Sequence, residues 1–144
     1  MVPSADIIAR LKAMVPSLGA VEGAVELSAL MAAKPQARAK PMAHVVPTGL
    51  RAMGGEASAG AFTQMVDQVF AVFLTLSTVN DPTGAKAQAS LDALIFEVIL
   101  ALAGWGPEAA VGVFRLLRAA PLKIEAGVIV YTIEFAISDQ LRIL

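Results

Sequence analysis

The chain has 144 residues, the size of one domain, with 57% hydrophobic and only 16% charged residues and a net charge of −1. Soluble domains carry about 25% charged residues, so this surface must be rich in Ala and Gly, or must bury a face against further copies; both are expected. The absence of Cys excludes disulfide and thiolate chemistry, and 11 basic against 12 acidic residues with no long basic run argue against direct nucleic-acid binding.

Taken in chain order, Ser4 is a candidate N-cap for a helix over about Ala5–Met14, with Ile7, Ile8, Leu11, Met14 and Val15 as its apolar stripe. The N-terminus lacks a basic stretch followed by an apolar one, so no signal peptide is expected. Val21 begins a short extended piece. Val25–Ala33 then reads as a helix with Leu27, Leu30 and Met31 inward, ended by Pro35. Lys34, Arg38 and Lys40 read as a solvated linker, since no aromatic platform accompanies them. Pro41–Val46 reads as a short strand, and Pro47 marks its end or an edge position.

The glycine-rich segment from Val46 to Gly60 then reads as a long loop at about 47–61. Its residues Leu50–Gly60 are expected to be mobile in a free subunit and ordered by a partner. From Phe62 the pattern has period two: Phe62, Val66, Phe70, Val72, Leu74 and Leu76 share one face. Asp81-Pro82-Thr83-Gly84 supplies turn chemistry. A helix over about Ala85–Ala103 carries Leu91, Leu94, Ile95, Val98 and Leu102 on one stripe, and Gly104 and Gly106-Pro107 stop it. Its apolar run Leu91–Trp105 contains Asp92 and Glu97 and is too short to span a membrane. The remainder reads as a strand, a connection and a longer strand with Ile129, Tyr131, Ile133, Phe135 and Ile137 on one face and Thr132, Glu134 and Ser138 on the other. The order α-α-β-β-α-β-β predicts a single α+β domain with a mainly antiparallel sheet flanked by helices.

Few chemistries survive this pattern. With a single His, His44, and no Cys, no closed zinc site can be written, and the carboxylates lack EF-hand spacing. Ser58 has Glu56 where a nucleophile elbow needs its first Gly. The segment "GGEASAG" lacks the Gly-Lys-Ser/Thr ending of a phosphate loop and precedes a strand. Asp67 and Glu134 are expected as solvated charges on the polar sheet face. No catalytic residue, cofactor or metal is assigned. Trp105 either caps the core or anchors a subunit contact.

The ordered set "VEGAVELSALMA", "AHVVPTGLRA", a Gly/Ala-rich loop, "VFAVFLTL", "DPTGAKA", "GWGP", "VGVFRLLRA" and "VYTIEFAISDQLRI" resembles the small tail terminator proteins (tail completion or minor tail proteins) of tailed bacteriophages and phage-derived particles. The resemblance covers nearly the whole chain. It implies an α/β sandwich and a non-enzymatic virion protein that stops tail-tube polymerisation. It also implies a hexameric ring on the head-proximal end of the tube, offering a surface for head-tail joining. The implied partners are further copies of the chain, the tail tube protein and the head-tail connector or stopper. The implied location is the virion tail after assembly in the bacterial cytoplasm, with no membrane and no nucleic acid bound directly.

A head completion or stopper protein is the alternative, with a small ligand-binding domain beside His44 a further one. Interface candidates are Leu50, Arg51 and Met53 in the glycine-rich segment, Trp105, Arg115 and Arg118 on the strand, and Asp139 and Arg142. The last two are placed to pair within or between subunits. For each charged residue the plainer reading is a solvated side chain.

Overall fold

The architecture follows from three long alternating strands that need one covered face, and from two helices with apolar stripes to cover it. The computed structural model describes residues 1–33, 40–58, 60–81 and 83–143. The elements are α1 (Ser4–Met14), β1 (Ala20–Glu22), α2 (Ala24–Ala32), β2 (Met42–Ser58), β3 (Ala61–Ser77), α3 (Ala85–Leu102), β4 (Arg115–Glu125) and β5 (Val128–Ile143). The fold is α+β with a mainly antiparallel sheet, as the pattern predicts, plus the short β1. The sheet order is β1-β2-β3-β5-β4, with only β1 and β2 parallel. The predicted roles of Lys34, Pro35, Arg38 and Pro82 lie outside the described residues.

The helix-facing side of the sheet is fixed by register. Val45, Val72 and Ile133 align across three strands, and Phe70 pairs with Phe135; residues directly opposite share a face. Ile7 and Leu11 of α1 and Leu91, Leu94, Val98 and Leu102 of α3 close over them. Helix α1 packs on α3, β1 and β2, and α3 packs on β3. Two details differ from the sequence reading of α1. Pro3 is the N-cap, Ser4 lies inside the helix, and no side chain caps it. Met14 points outward, while Val15 just beyond the helix takes the core position.

Helix α2 departs further from expectation. Leu27 and Leu30 are half-buried, Met31 is exposed, and no residue of the helix is fully buried. It touches β2, and Glu26 accepts a hydrogen bond from the Gly23 amide at 3.2 Å, which satisfies one free donor at its start.

The expected loop at about 47–61 is instead strand. β2 continues through it to Ser58, and Ser58 pairs with Ala61, so only two residues connect β2 to β3. The sequence reading missed it because its stabilising groups belong to the partner strand. The register slips between Pro47 and Gly49 and again between Ala52 and Gly55. At the first bulge Thr48 Oγ1 donates to the Val69 carbonyl at 3.2 Å. At the second, Gln64 Nε2 donates to the Met53 carbonyl at 2.9 Å. The Phe62 ring lies over Gly55 so closely that an added Cβ there would be 2.9 Å from it. A neighbouring aromatic thus supplies the packing that a strand glycine lacks. Pro47 falls where β1 no longer flanks β2, so it occupies a free edge, where a missing N–H costs nothing.

Candidate assembly surfaces

Seventeen residues of β3 span about 56 Å at strand rise, whereas the eighteen of α3 span about 27 Å. The helices therefore cover only one end of the sheet. The rest is an arm of three strands made by residues 50–58, 61–65 and 140–143. On the helix side of this arm lie Leu50, Ala57, Phe62, Leu141 and Ile143; Leu50 and Ile143 are more than half exposed. The opposite side carries Arg51, Glu56, Thr63, Gln140 and Arg142. The arm is an amphipathic sheet whose apolar face has no cover. Leu50, Arg51 and Met53 all sit on it, exposed.

At the base of the arm, the expected solvated Asp67 is instead buried. It accepts from Ser138 Oγ at 2.7 Å and from the Arg115 guanidinium at 2.5 Å. The Ser138 hydroxyl first and the Arg115 bond second hold its carboxyl below the ordinary value of 3.8, against the opposing effect of burial. Arg51, its ladder neighbour, adds to the lowering. Arg115 is thus committed to its own chain. Arg118 pairs loosely with Glu134 at 3.5 Å and is mostly exposed.

Asp139 does not pair with Arg142. It is buried on the helix side and binds the Met1 ammonium at 2.9 Å. Burial raises its pKa, but the ammonium and the Gln140 amide outweigh that, so the carboxyl sits below its ordinary value. Arg142 lies on the other face, opposite Thr63, because successive strand residues alternate and three positions separate it from Asp139. The next anchor is Gln68, buried and paired with the Val2 backbone in both directions, at 2.7 and 3.2 Å. No sequence pattern signalled it, since a buried Gln needs a tertiary partner to be satisfied.

Trp105 caps the core. Its ring stacks on Phe114 with centroids 5.8 Å apart, and Phe114 meets Phe70 edge-on at 5.9 Å. The Arg10 guanidinium lies 5.1 Å over the indole, and its Nε donates to the Ala101 carbonyl at 3.0 Å, a free acceptor at the end of α3. Gly104 reverses the chain there with φ +80. Gly106 approaches Gly112 so closely that an added Cβ would collide with its carbonyl oxygen.

His44 is fully buried, with Nε2 3.9 Å from Glu22 Oε1. The hollows beside Pro47, at the start of α3 and on the open sheet face are lined by other residues. Among the described residues no group of three His, Asp or Glu side chains is placed to hold a metal, and no helix is long and apolar enough to cross a membrane.

Several charged groups are tied into structural pairs, and apolar strand ends are left bare. The chain belongs to the phage tail terminator family: the family model described as phage tail terminator protein matches residues 1–143. It is therefore a structural component of a phage tail. No curated protein matches the chain.

Proposed function

We propose that this protein forms a ring, hexameric in the assembled tail, that caps the head-proximal end of the tail tube, ends tube polymerisation and offers the surface to which the head connector joins. It acts without catalysis or cofactor. Its partners are further copies of itself, the tube protein and the connector, and it reaches the virion after assembly in the bacterial cytoplasm. Family membership gives the tail role, and the single structural observation that carries the reading further is the uncovered apolar arm. An arm with Leu50 and Ile143 more than half exposed is stable in water only at a cost of about 25 cal/mol per Å² left exposed, and docking on a neighbour or a tube end removes that cost.

The interface candidates divide accordingly. Leu50, Arg51, Met53 and Arg142 lie on the arm, free for contact with tube or connector. Arg118 lies exposed on the edge strand, loosely paired with Glu134. Trp105 and Asp139 support those surfaces from within, and the half-exposed Arg115 is tied to Asp67. Native mass spectrometry of the chain, alone and with purified tail tubes, tests the reading, as does imaging of labelled protein on tube ends. A hexamer, or a ring at the head-proximal tip, is expected. A chain that remains monomeric and ignores tube ends refutes it.

A further inference from the structure

The arm has two outer edges. Strand β1 flanks β2 only as far as His44, and β4 reaches β5 only up to Ala136, so neither covers the arm. The loop before β4 backs onto the Ser138 backbone through Gly112, and Asp139 Oδ1 accepts from the Gln140 amide at 2.8 Å. The edge of β5 is then open at residues 141–143. On the other side the edge of β2 is open at residues 55–57, beyond its second bulge.

The sheet's other edges are blunted. β4 has two register shifts and Pro121, and β2 has two shifts and Pro47 before Gly55. Residues 139–143 carry no Pro, Gly or Lys, and the register of β5 on β3 runs unbroken from Val128 to Ile143. An unblunted edge accepts a further strand. β2 already takes one on this same edge, where the three residues of β1 pair in parallel with Met42, Ala43 and His44.

The two open edges match each other. Register places Glu56, Thr63 and Arg142 in one row across the polar face, with Glu56 at one edge and Arg142 at the other. Neither has an ion-pair partner among the described residues. On the apolar face one row is Ala57, Phe62 and Ile143, and another is Gly55, Gln64 and Leu141. With neighbouring arms level, Arg142 meets Glu56 of the next copy, and Leu141 and Ile143 meet its Gly55 and Ala57, large against small. Opposite charges and close packing both favour such cross-strand neighbours. Pairing β5 with β5 offers Arg142 no acid, because Ser138 and Gln140 share its face at that end.

We propose that residues 141–143 of one copy pair in parallel with residues 55–57 of the next, joining the arms edge to edge. β2 and β5 both run antiparallel to β3 and so point the same way. The contact joins two different edges, and its repetition gives a ring when the rotation closes. The inference rests on the ring reading, and it gives Arg142 to the contact between copies.

The lack of native Cys allows a direct test. Chains carrying Ala57→Cys and chains carrying Ile143→Cys are mixed, with and without purified tail tubes, oxidised and run on non-reducing gels. A disulfide-linked dimer is expected from the mixture and from neither variant alone, and a ladder of higher species from the double variant. Within one copy the two positions stand two strand spacings of about 4.8 Å apart, too far to bridge. Glu56→Arg and Arg142→Glu, both at exposed positions, should each weaken assembly about tenfold at the wild-type melting temperature, and the double reversal should restore it. Rings that form without a cross-link in the mixture, a cross-link from Ile143→Cys alone, or a double reversal that assembles no better than the single ones overturn the edge contact and leave the ring reading standing. A chain that stays monomeric under every condition overturns both.

Discussion

Asp67→Asn probes the junction between the helix-covered sheet and the bare arm. The substitution keeps the shape of the side chain and removes its charge. Two bonds to the carboxylate are affected, at 2.7 and 2.5 Å. A hydrogen bond to a charged group contributes about 1.5–3 kcal/mol when shielded. The Ser138 bond is shielded and falls near the lower end of that range. Arg115 is 48% exposed, so its share is that of a solvent-screened pair, about 0.2–1 kcal/mol. Together the loss is about 2 kcal/mol. For 144 residues the unfolding entropy is about 0.3 kcal/mol/K, so the melting temperature should fall by about 7 °C.

The pH dependence follows from the direction of the shift. Because the folded carboxyl is held below its ordinary value of 3.8, its stabilisation is fully present above that value and is lost as pH falls through the lower, folded one. The gap between wild type and Asp67→Asn should be constant from pH 7 to 5 and shrink below about pH 4. Calorimetry at low protein concentration, where assembly does not add stability, is the assay. An unchanged melting temperature, or a gap that widens on acidification, refutes the network.

Three other outcomes are expected. Phe114→Ala removes the ring between Trp105 and Phe70 and should cost about 3–5 kcal/mol in urea melts. Gly106→Ala forces a Cβ against the Gly112 carbonyl and should cost about 1–3 kcal/mol by the same measurement, with no loss if that approach is wrong. In the isolated chain, amides of residues 50–58 should exchange with solvent faster than those of 70–76, since no helix covers the arm. They should slow when the protein sits on tube ends; equal rates in both states count against the arm as a docking surface.

The sequence by itself determined the element order and the core. Period-two runs in β3 and β5 and the stripe of α3 name most of the buried residues, because burial of one face leaves its periodicity in the chain. It also limited the chemistry, since a lone His and no Cys leave few sites to write. Only the tertiary structure decided the rest, where the stabilising group lies far along the chain. Residues 50–58 look like a loop until Phe62 and Gln64 fill their glycine and bulge from the next strand. Asp67 looks solvated until register brings Ser138 and Arg115 to it. Asp139 and Arg142 look like a pair until strand alternation puts them on opposite faces. Helix α2 looks like core until α1 and α3 take the places above the sheet and leave it bare. Periodicity records which face a residue prefers; what meets that face depends on contacts distant in sequence.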